Sequence, residues 1–284
     1  MRVDAHTHIL PPSVQNLRAY WVERDATFAQ LFAHPRARMA GVEDLLAALD
    51  SAEMHRAVVA GMGWTNLALA RQCNDYILES YARWPQRLIP FISINPLWGE
   101  EALREVERCA QGGARGVGEL HPDPQGWWDT DADAYLQALA SLLRQYRLIL
   151  LVHASEPVGH LYPGKGKTTP DRLLHIRRVF TGIPIVFAHM GGGLPFYTLM
   201  PEVAQALQDT YFDSAATPFL YTPRVYRSVV DLVGVERVLF ATDFPLLGYP
   251  RALRHLAEGG LTPQEQALVL GGNAYRLLHS HESK

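Results

Sequence analysis

Eight short apolar runs, rich in β-branched residues and separated by helix-length segments, recur along the whole 284-residue chain. They predict strands at Val3–His8, Ala57–Gly61, Leu88–Ile94, Arg115–Leu120, Leu148–His153, Ile183–His189, Thr210–Ser214 and Val238–Asp243. Helical spacing fills the gaps: Val42, Leu45, Leu46 and Leu49 share one face, as do Leu136, Leu139, Leu142 and Leu143. Thr169-Pro170, Thr222-Pro223 and Thr262-Pro263 place an N-cap before a proline at the first helical position, and Glu265 completes a capping box with Thr262. Strand–helix alternation implies a parallel sheet, because parallel neighbours need a crossover connection. The expected fold is a single (β/α)8 barrel over residues 1–284, with a long insertion after strand 1. An open doubly wound sheet competes. However, ionisable residues close strands 1, 4, 5, 6 and 8, and only a closed barrel brings strands 1 and 8 side by side. No GxGxxG follows the first strand, which weakens a dinucleotide-binding reading.

The insertion, Ile9–Ala40, is the longest stretch without regular pattern and carries Trp21, Phe28 and Phe32. It follows strand 1 and so lies over the catalytic end, either as a partial lid or as a purely structural insertion. Among the other tryptophans, Trp64, Trp98, Trp127 and Trp128 also follow predicted strands, and only Trp84 falls on the opposite side. An aromatic-lined pocket and simple loop packing both fit that distribution.

Composition excludes some partners. A net charge of −3 gives no electrostatic footprint for nucleic acid. The apolar runs are too short to cross a bilayer. Met1-Arg2 leads straight into a strand, without a signal peptide. Cys73 and Cys109 lack metal-type spacing and are expected as thiols in a reducing compartment. A cytoplasmic enzyme acting on a small molecule follows as the expectation, with a homodimer as the default assembly.

The chemistry concentrates at strand ends. In Asp4-Ala5-His6-Thr7-His8, residues two apart point the same way, so His6 and His8 face one cation together. Strands 5, 6 and 8 run apolar until His153, His189 and Asp243. A single such histidine is more often a satisfied core residue; three strands ending this way beside an HxH point to a metal. Zinc is the first expectation, as one or two ions, with manganese, iron or nickel as alternatives. Glu119, in Gly118-Glu119-Leu120-His121, points inward and either bridges two ions or stands beside one. His121 is expected further out, as a substrate contact or a surface histidine. Asp4 and Asp213 are candidates to orient ligand histidines from behind. Asn273 is expected to cap the last helix. The glycine-rich segment His160–Thr169, with Lys165 and Lys167, is either a solvated loop or a mobile one that meets an anion.

These residues give the chain a resemblance to the amidohydrolase superfamily, and more narrowly to the branch that includes aminocarboxymuconate semialdehyde decarboxylase. The marks are Asp4-Ala5-His6-Thr7-His8, Ala188-His189-Met190-Gly191-Gly192, Thr242-Asp243-Phe244-Pro245 and Gly272-Asn273-Ala274, spread over essentially the whole chain. The resemblance implies a metal held by His6, His8, His153 and Asp243. It makes His189 a catalytic neighbour of the metal in decarboxylases, or a ligand of a second metal in binuclear hydrolases. Glu119 departs from the decarboxylase pattern and matches TatD-like hydrolases.

The leading expectation is therefore hydrolysis of an ester, lactone, amide or phosphoester by a metal-activated water, with Asp243 taking its proton. The alternative is non-oxidative decarboxylation of an aromatic or unsaturated acid at one metal, with His189 handling protons. A third reading is a barrel that binds a metal or ligand without turnover.

Overall fold

The computed structural model describes residues 1–129 and 131–279. Eight parallel strands pair in sequence order: β1 (Val3–Thr7), β2 (Arg56–Ala60), β3 (Leu88–Ile92), β4 (Gly116–Leu120), β5 (Ile149–Val152), β6 (Ile185–Phe187), β7 (Thr210–Asp213) and β8 (Val238–Leu239). Helices lie between them, as expected from sequence. The seam between β1 and β8 is closed by hydrogen bonds from Ala5 N to Phe240 O (2.9 Å) and Asp243 N to His6 O (2.9 Å), and by a parallel bridge from Thr7 to Phe244. The result is a (β/α)8 barrel.

Alternation along the strands builds two apolar layers. Val58, Ala60, Ile89, Phe91, Ile149 and Leu151 form one buried cluster inside the barrel. Ala57, Val59, Leu150 and Val152 point the other way and pack against helix residues such as Leu45, Ile77 and Leu139. Each such buried aliphatic side chain contributes about 1.5–3 kcal/mol. The barrel is thus a packed solid that holds its rim rigid.

Several local expectations need correction. The strands stop earlier than the apolar runs do. β6 ends at Phe187 and β8 at Leu239, so His189 and Asp243 sit in irregular backbone beyond them. Both lie in the left-handed region (φ 56° and 62°), which few non-glycine residues occupy. The segment Ile9–Ala40 is not irregular: it folds into short helices at Pro12–Asn16, Arg18–Val22 and Ala26–Phe32. Leu10, Val14, Trp21, Phe28 and Phe32 pack there against Met62 and Trp64, in a satellite core over the rim. The helix Ala26–Phe32 is capped at its N-terminus by Asp25, which accepts from Phe28 N and also ties in Thr65 N and Asn66 N. Asn273 does not cap its helix through its side chain. Its amide donates to Val235 O and Val238 O, tying the C-terminal helix to β8. The Thr222-Pro223 signal sits just before the helix Val225–Val233, whose N-cap is Arg224. The capping box of Thr262 and Glu265 forms as expected. Cys73 and Cys109 are buried free thiols. Among the described residues, no helix is long and apolar enough to cross a membrane.

Candidate metal centre and active-site cavity

His6 on β1 and Glu119 on β4 meet His8, His153, His189 and Asp243, from the turns beyond β1, β5, β6 and β8, at one end of the barrel. His6 Nε2 and His8 Nε2 lie 2.9 Å apart. Glu119 Oε2 is 3.4 Å from His6 Nε2 and 3.6 Å from His8 Nε2. Asp243 Oδ1 is 3.2 Å from His8 Nε2. On the other side, Glu119 Oε1 is 2.9 Å from His153 Nδ1 and 3.3 Å from His189 Nε2, and those two nitrogens are 3.2 Å apart. One carboxylate therefore faces two groups of imidazoles, one through each oxygen.

The outer hydrogen bonds fix which nitrogens are bare. An ionised carboxylate only accepts, so Asp213 Oδ2, 2.9 Å from His6 Nδ1, assigns the proton there. His8 Nδ1 donates to Ala60 O (2.9 Å), and His189 Nδ1 donates to Ala215 O (2.9 Å). In the neutral rings, the Nε2 lone pairs of His6 and His8 then point at each other across 2.9 Å. Such a contact is repulsive unless a cation or proton sits between them. Donors around a cation at about 2.1 Å stand roughly 3.4 Å apart, close to the 2.9–3.6 Å separations among His6, His8 and Glu119, and Asp243 adjoins that group at His8. The donor set fits a divalent metal.

Electrostatics follow from the crowding. Burial disfavours charge on Glu119, but the charges of His121 and His6, with hydrogen bonds from His121 and His153, hold its carboxyl well below the usual range. Burial likewise opposes protonation of His6, yet Glu119 and Asp213 push it well above its ordinary value. His189 is desolvated too, and Glu119 raises it to about 9. Burial and the His121 charge lower His153 to about 4. Asp243, against its burial, is held lower by the hydrogen bond from His8.

Three residues behind the cluster position it. Asp213 holds His6 through one oxygen and accepts from His189 N (3.1 Å) and Ala215 N (3.0 Å) through the other. Asp4 accepts from His6 N, Thr242 N and Thr242 Oγ1, stitching β1 to the segment that carries Asp243. Burial raises Asp4 to about 6, against the hydrogen bond from Thr242. Both were sequence candidates for orienting roles. Gln125 was not; its Oε1 accepts from His121 N while its amide donates to Trp64 O and Ile94 O, locking the turn after β4. A lone glutamine in a loop carries no pattern by which sequence reasoning finds it.

His121 is not at the surface. It is buried, its Nε2 lies 3.0 Å from Glu119 Oε2, and its ring stacks on His153 at 4.5 Å. The backbone of β4 turns it inward together with Glu119.

A cavity of about 490 Å³ opens above the cluster. Its floor is His8, Glu119, His121, His153, His189 and Asp243. Its walls are largely apolar, from Leu31, Phe32, Met62, Phe219, Leu220 and Leu246. Among the described residues no tryptophan lines it; the indoles pack in the surrounding loops instead. His160, Tyr162, Pro163 and Gly164 reach the cavity from the loop after β5, whereas Lys165 Nζ turns back to Val158 O and His160 O.

The comparisons agree with this architecture. The amidohydrolase family model matches residues 3–279. Gamma-resorcylate decarboxylase from Polaromonas sp. (strain JS666) is 22% identical over 254 residues, which is 73% of this chain and 75% of that protein. The structure of 5-carboxyvanillate decarboxylase from Sphingomonas paucimobilis superposes with a TM-score of 0.76 at 18% identity, covering 98% of each chain. A dihydroxybenzoic acid decarboxylase from Polaromonas sp. JS666, solved with manganese and the inhibitor 2-nitroresorcinol, superposes with a TM-score of 0.72 at 16% identity, covering 99% of this chain and 98% of that one. The solved structures share the fold with this chain. The chain belongs to the amidohydrolase family and is an enzyme of that superfamily.

Proposed function

We propose that the chain is a metal-dependent, non-oxidative decarboxylase of an aromatic carboxylic acid. The observation that carries this reading is the division of the cavity: a floor made only of metal-type donors under walls suited to the faces of a ring. The decarboxylase relatives support it, and the hydrolase expected first from Glu119 has no such support among them. Manganese, present in the dihydroxybenzoic acid decarboxylase structure, displaces zinc as the first metal to test.

In this reading His6, His8 and Asp243 hold the cation, with Glu119 and His153 completing the set. When bound, the cation neutralises the substrate carboxylate and keeps an electron-rich ring in place. His189 is the proton donor. Its Nδ1 is committed to Ala215 O, so Nε2 addresses the floor of the cavity. A proton passes from Nε2 to the ring carbon that bears the carboxylate. The bond to the carboxylate then breaks, its electron pair restores the aromatic ring, and CO2 leaves. Glu119, 3.3 Å from Nε2, steadies the imidazolium before transfer. The apolar walls exclude water and strengthen these charges.

The test is CO2 release from a panel of hydroxylated benzoates by metal-stripped protein reloaded with manganese. Release from any member, lost in His189→Asn, supports the proposal. Hydrolysis of esters or lactones without CO2 from any acid contradicts it.

One observation favours a second reading. The two oxygens of Glu119 face separate imidazole groups, an arrangement suited to a carboxylate bridging two cations in a hydrolase. Two metal equivalents per chain, falling to one in Glu119→Ala, with lactonase or esterase turnover, would establish it.

A further inference from the structure

The cavity has more room and more apolar wall than a bare hydroxylated benzoate fills. A site of about 150 Å³ is enough for benzene, and the space above the cluster is about 490 Å³. The excess volume is flanked by apolar groups. Leu31 and Phe32 enter from the helix Ala26–Phe32, Phe219 and Leu220 from the helix Thr217–Leu220 after β7, and Leu246 from the loop after β8. Two of these wall residues stay open to solvent although large and apolar: Phe219 is 41% exposed and Leu246 55%. They continue the apolar wall outward from the floor of His8, Glu119, His121, His153, His189 and Asp243. Arg36 and Arg38 also line the cavity, from the segment after β1.

We infer that the substrate is an aromatic acid with a hydrocarbon extension, an alkyl chain or second ring, lying along Leu31, Phe219 and Leu246 while the carboxylate meets the His/Asp floor. This deepens the decarboxylase proposal and rests on its placement of the acid group. Bound in this way, the extension covers the two exposed wall residues, and each buried methylene adds a fixed increment of affinity.

The test is equilibrium binding, followed by calorimetry on manganese-loaded protein, of 2,6-dihydroxybenzoate and its para-methyl, propyl and pentyl homologues. The dissociation constant is expected to fall roughly three- to four-fold per methylene. The double variant Phe219→Ser, Leu246→Ser is expected to flatten that dependence. A dissociation constant that is flat or rises with chain length overturns the inference, as does the absence of saturable binding by any homologue. Tighter binding of a para-carboxyalkyl homologue than of the pentyl acid also overturns it, and assigns the mouth to Arg36 and Arg38. The length dependence without any CO2 release sustains this inference while removing the decarboxylase reading.

Discussion

Asp213 and His6 form a buried pair, Oδ2 to Nδ1 at 2.9 Å, and the second oxygen of the same carboxylate holds the backbone of His189. One side chain on β7 thus orients a histidine from β1 and sets the turn that carries another from β6. Outer-shell partners of this kind govern metal affinity through the tautomer and angle of the ligand. Asp213→Asn is expected to weaken manganese binding by about 10–100-fold while leaving the circular dichroism spectrum unchanged. Titration of metal-stripped protein checks it; unchanged affinity would show that His6 needs no help from Asp213.

The β1–β8 seam depends on Asp4 and Thr242. Thr242 Oγ1 donates to Asp4 at 2.6 Å and accepts from Phe244 N at 3.1 Å, all within the buried interior. Thr242→Val keeps the shape and removes both bonds. Leaving buried polar partners unsatisfied costs about 1–3 kcal/mol, so the melting temperature is expected to drop by several degrees. A melting temperature equal to that of the wild type would mean the seam is held by backbone bonds alone.

Away from the site, Glu105 is a buried acid whose carboxylate accepts from Asn74 Nδ2 (2.8 Å) and Arg108 (2.7 Å). Burial opposes its charge, but the Arg108 and Asn74 hydrogen bonds hold its carboxyl below the ordinary value of 4.5. A lowered folded value means the unfolded chain binds the proton more readily. The contribution is therefore present above pH 4.5 and is lost as pH falls through the lowered folded value. Glu105→Gln is expected to be less stable than wild type at neutral pH and to show a shallower acid limb below pH 4.5. Parallel denaturation midpoints for the two proteins across that range would refute the assignment.

Gly63 lies against His121: a Cβ there would collide with the His121 backbone nitrogen and crowd its Cβ at 2.8 Å. Neither atom is a flexible side-chain end, so the turn after β4 must shift. Gly63→Ala is expected to lower kcat at least ten-fold through displacement of His121 and Glu119, with a smaller effect on KM. Steady-state kinetics on whichever acid the panel identifies decides it; unchanged kcat would separate His121 from the reaction.

The barrel was legible because parallel strands buried on both faces leave near-continuous apolar runs, and all eight predicted strands are present. The ligand candidates were legible because a polar residue that ends such a run is costly without a partner. Other features depend on contacts between segments distant in sequence. His121 was placed too far out because strand periodicity says which way a side chain points, not where the rim closes over it. For the tryptophans a pocket lining and loop packing both fitted, because sequence gives only their end of the barrel; which apolar side chain reaches inward is decided by how the helices of residues 12–32 and 217–220 settle. The left-handed backbone at His189 and Asp243 has no local signature, since neither is a glycine. Hydrolysis was expected first because Glu119 resembles a bridging acid, and a single residue weighed more in sequence than the cavity walls, which sequence does not display.

The most direct test of the central claim is proton NMR of the reaction in D2O with manganese-loaded enzyme and each hydroxylated benzoate of the panel in turn. A decarboxylase of this kind is expected to yield an arene carrying one deuterium at the carbon that lost the carboxylate, with the rest of the ring unlabelled and no product from the metal-stripped protein. Every acid left unchanged, alongside turnover of a lactone or ester by the same preparation, would contradict the account and return Glu119 to the centre of a hydrolytic site.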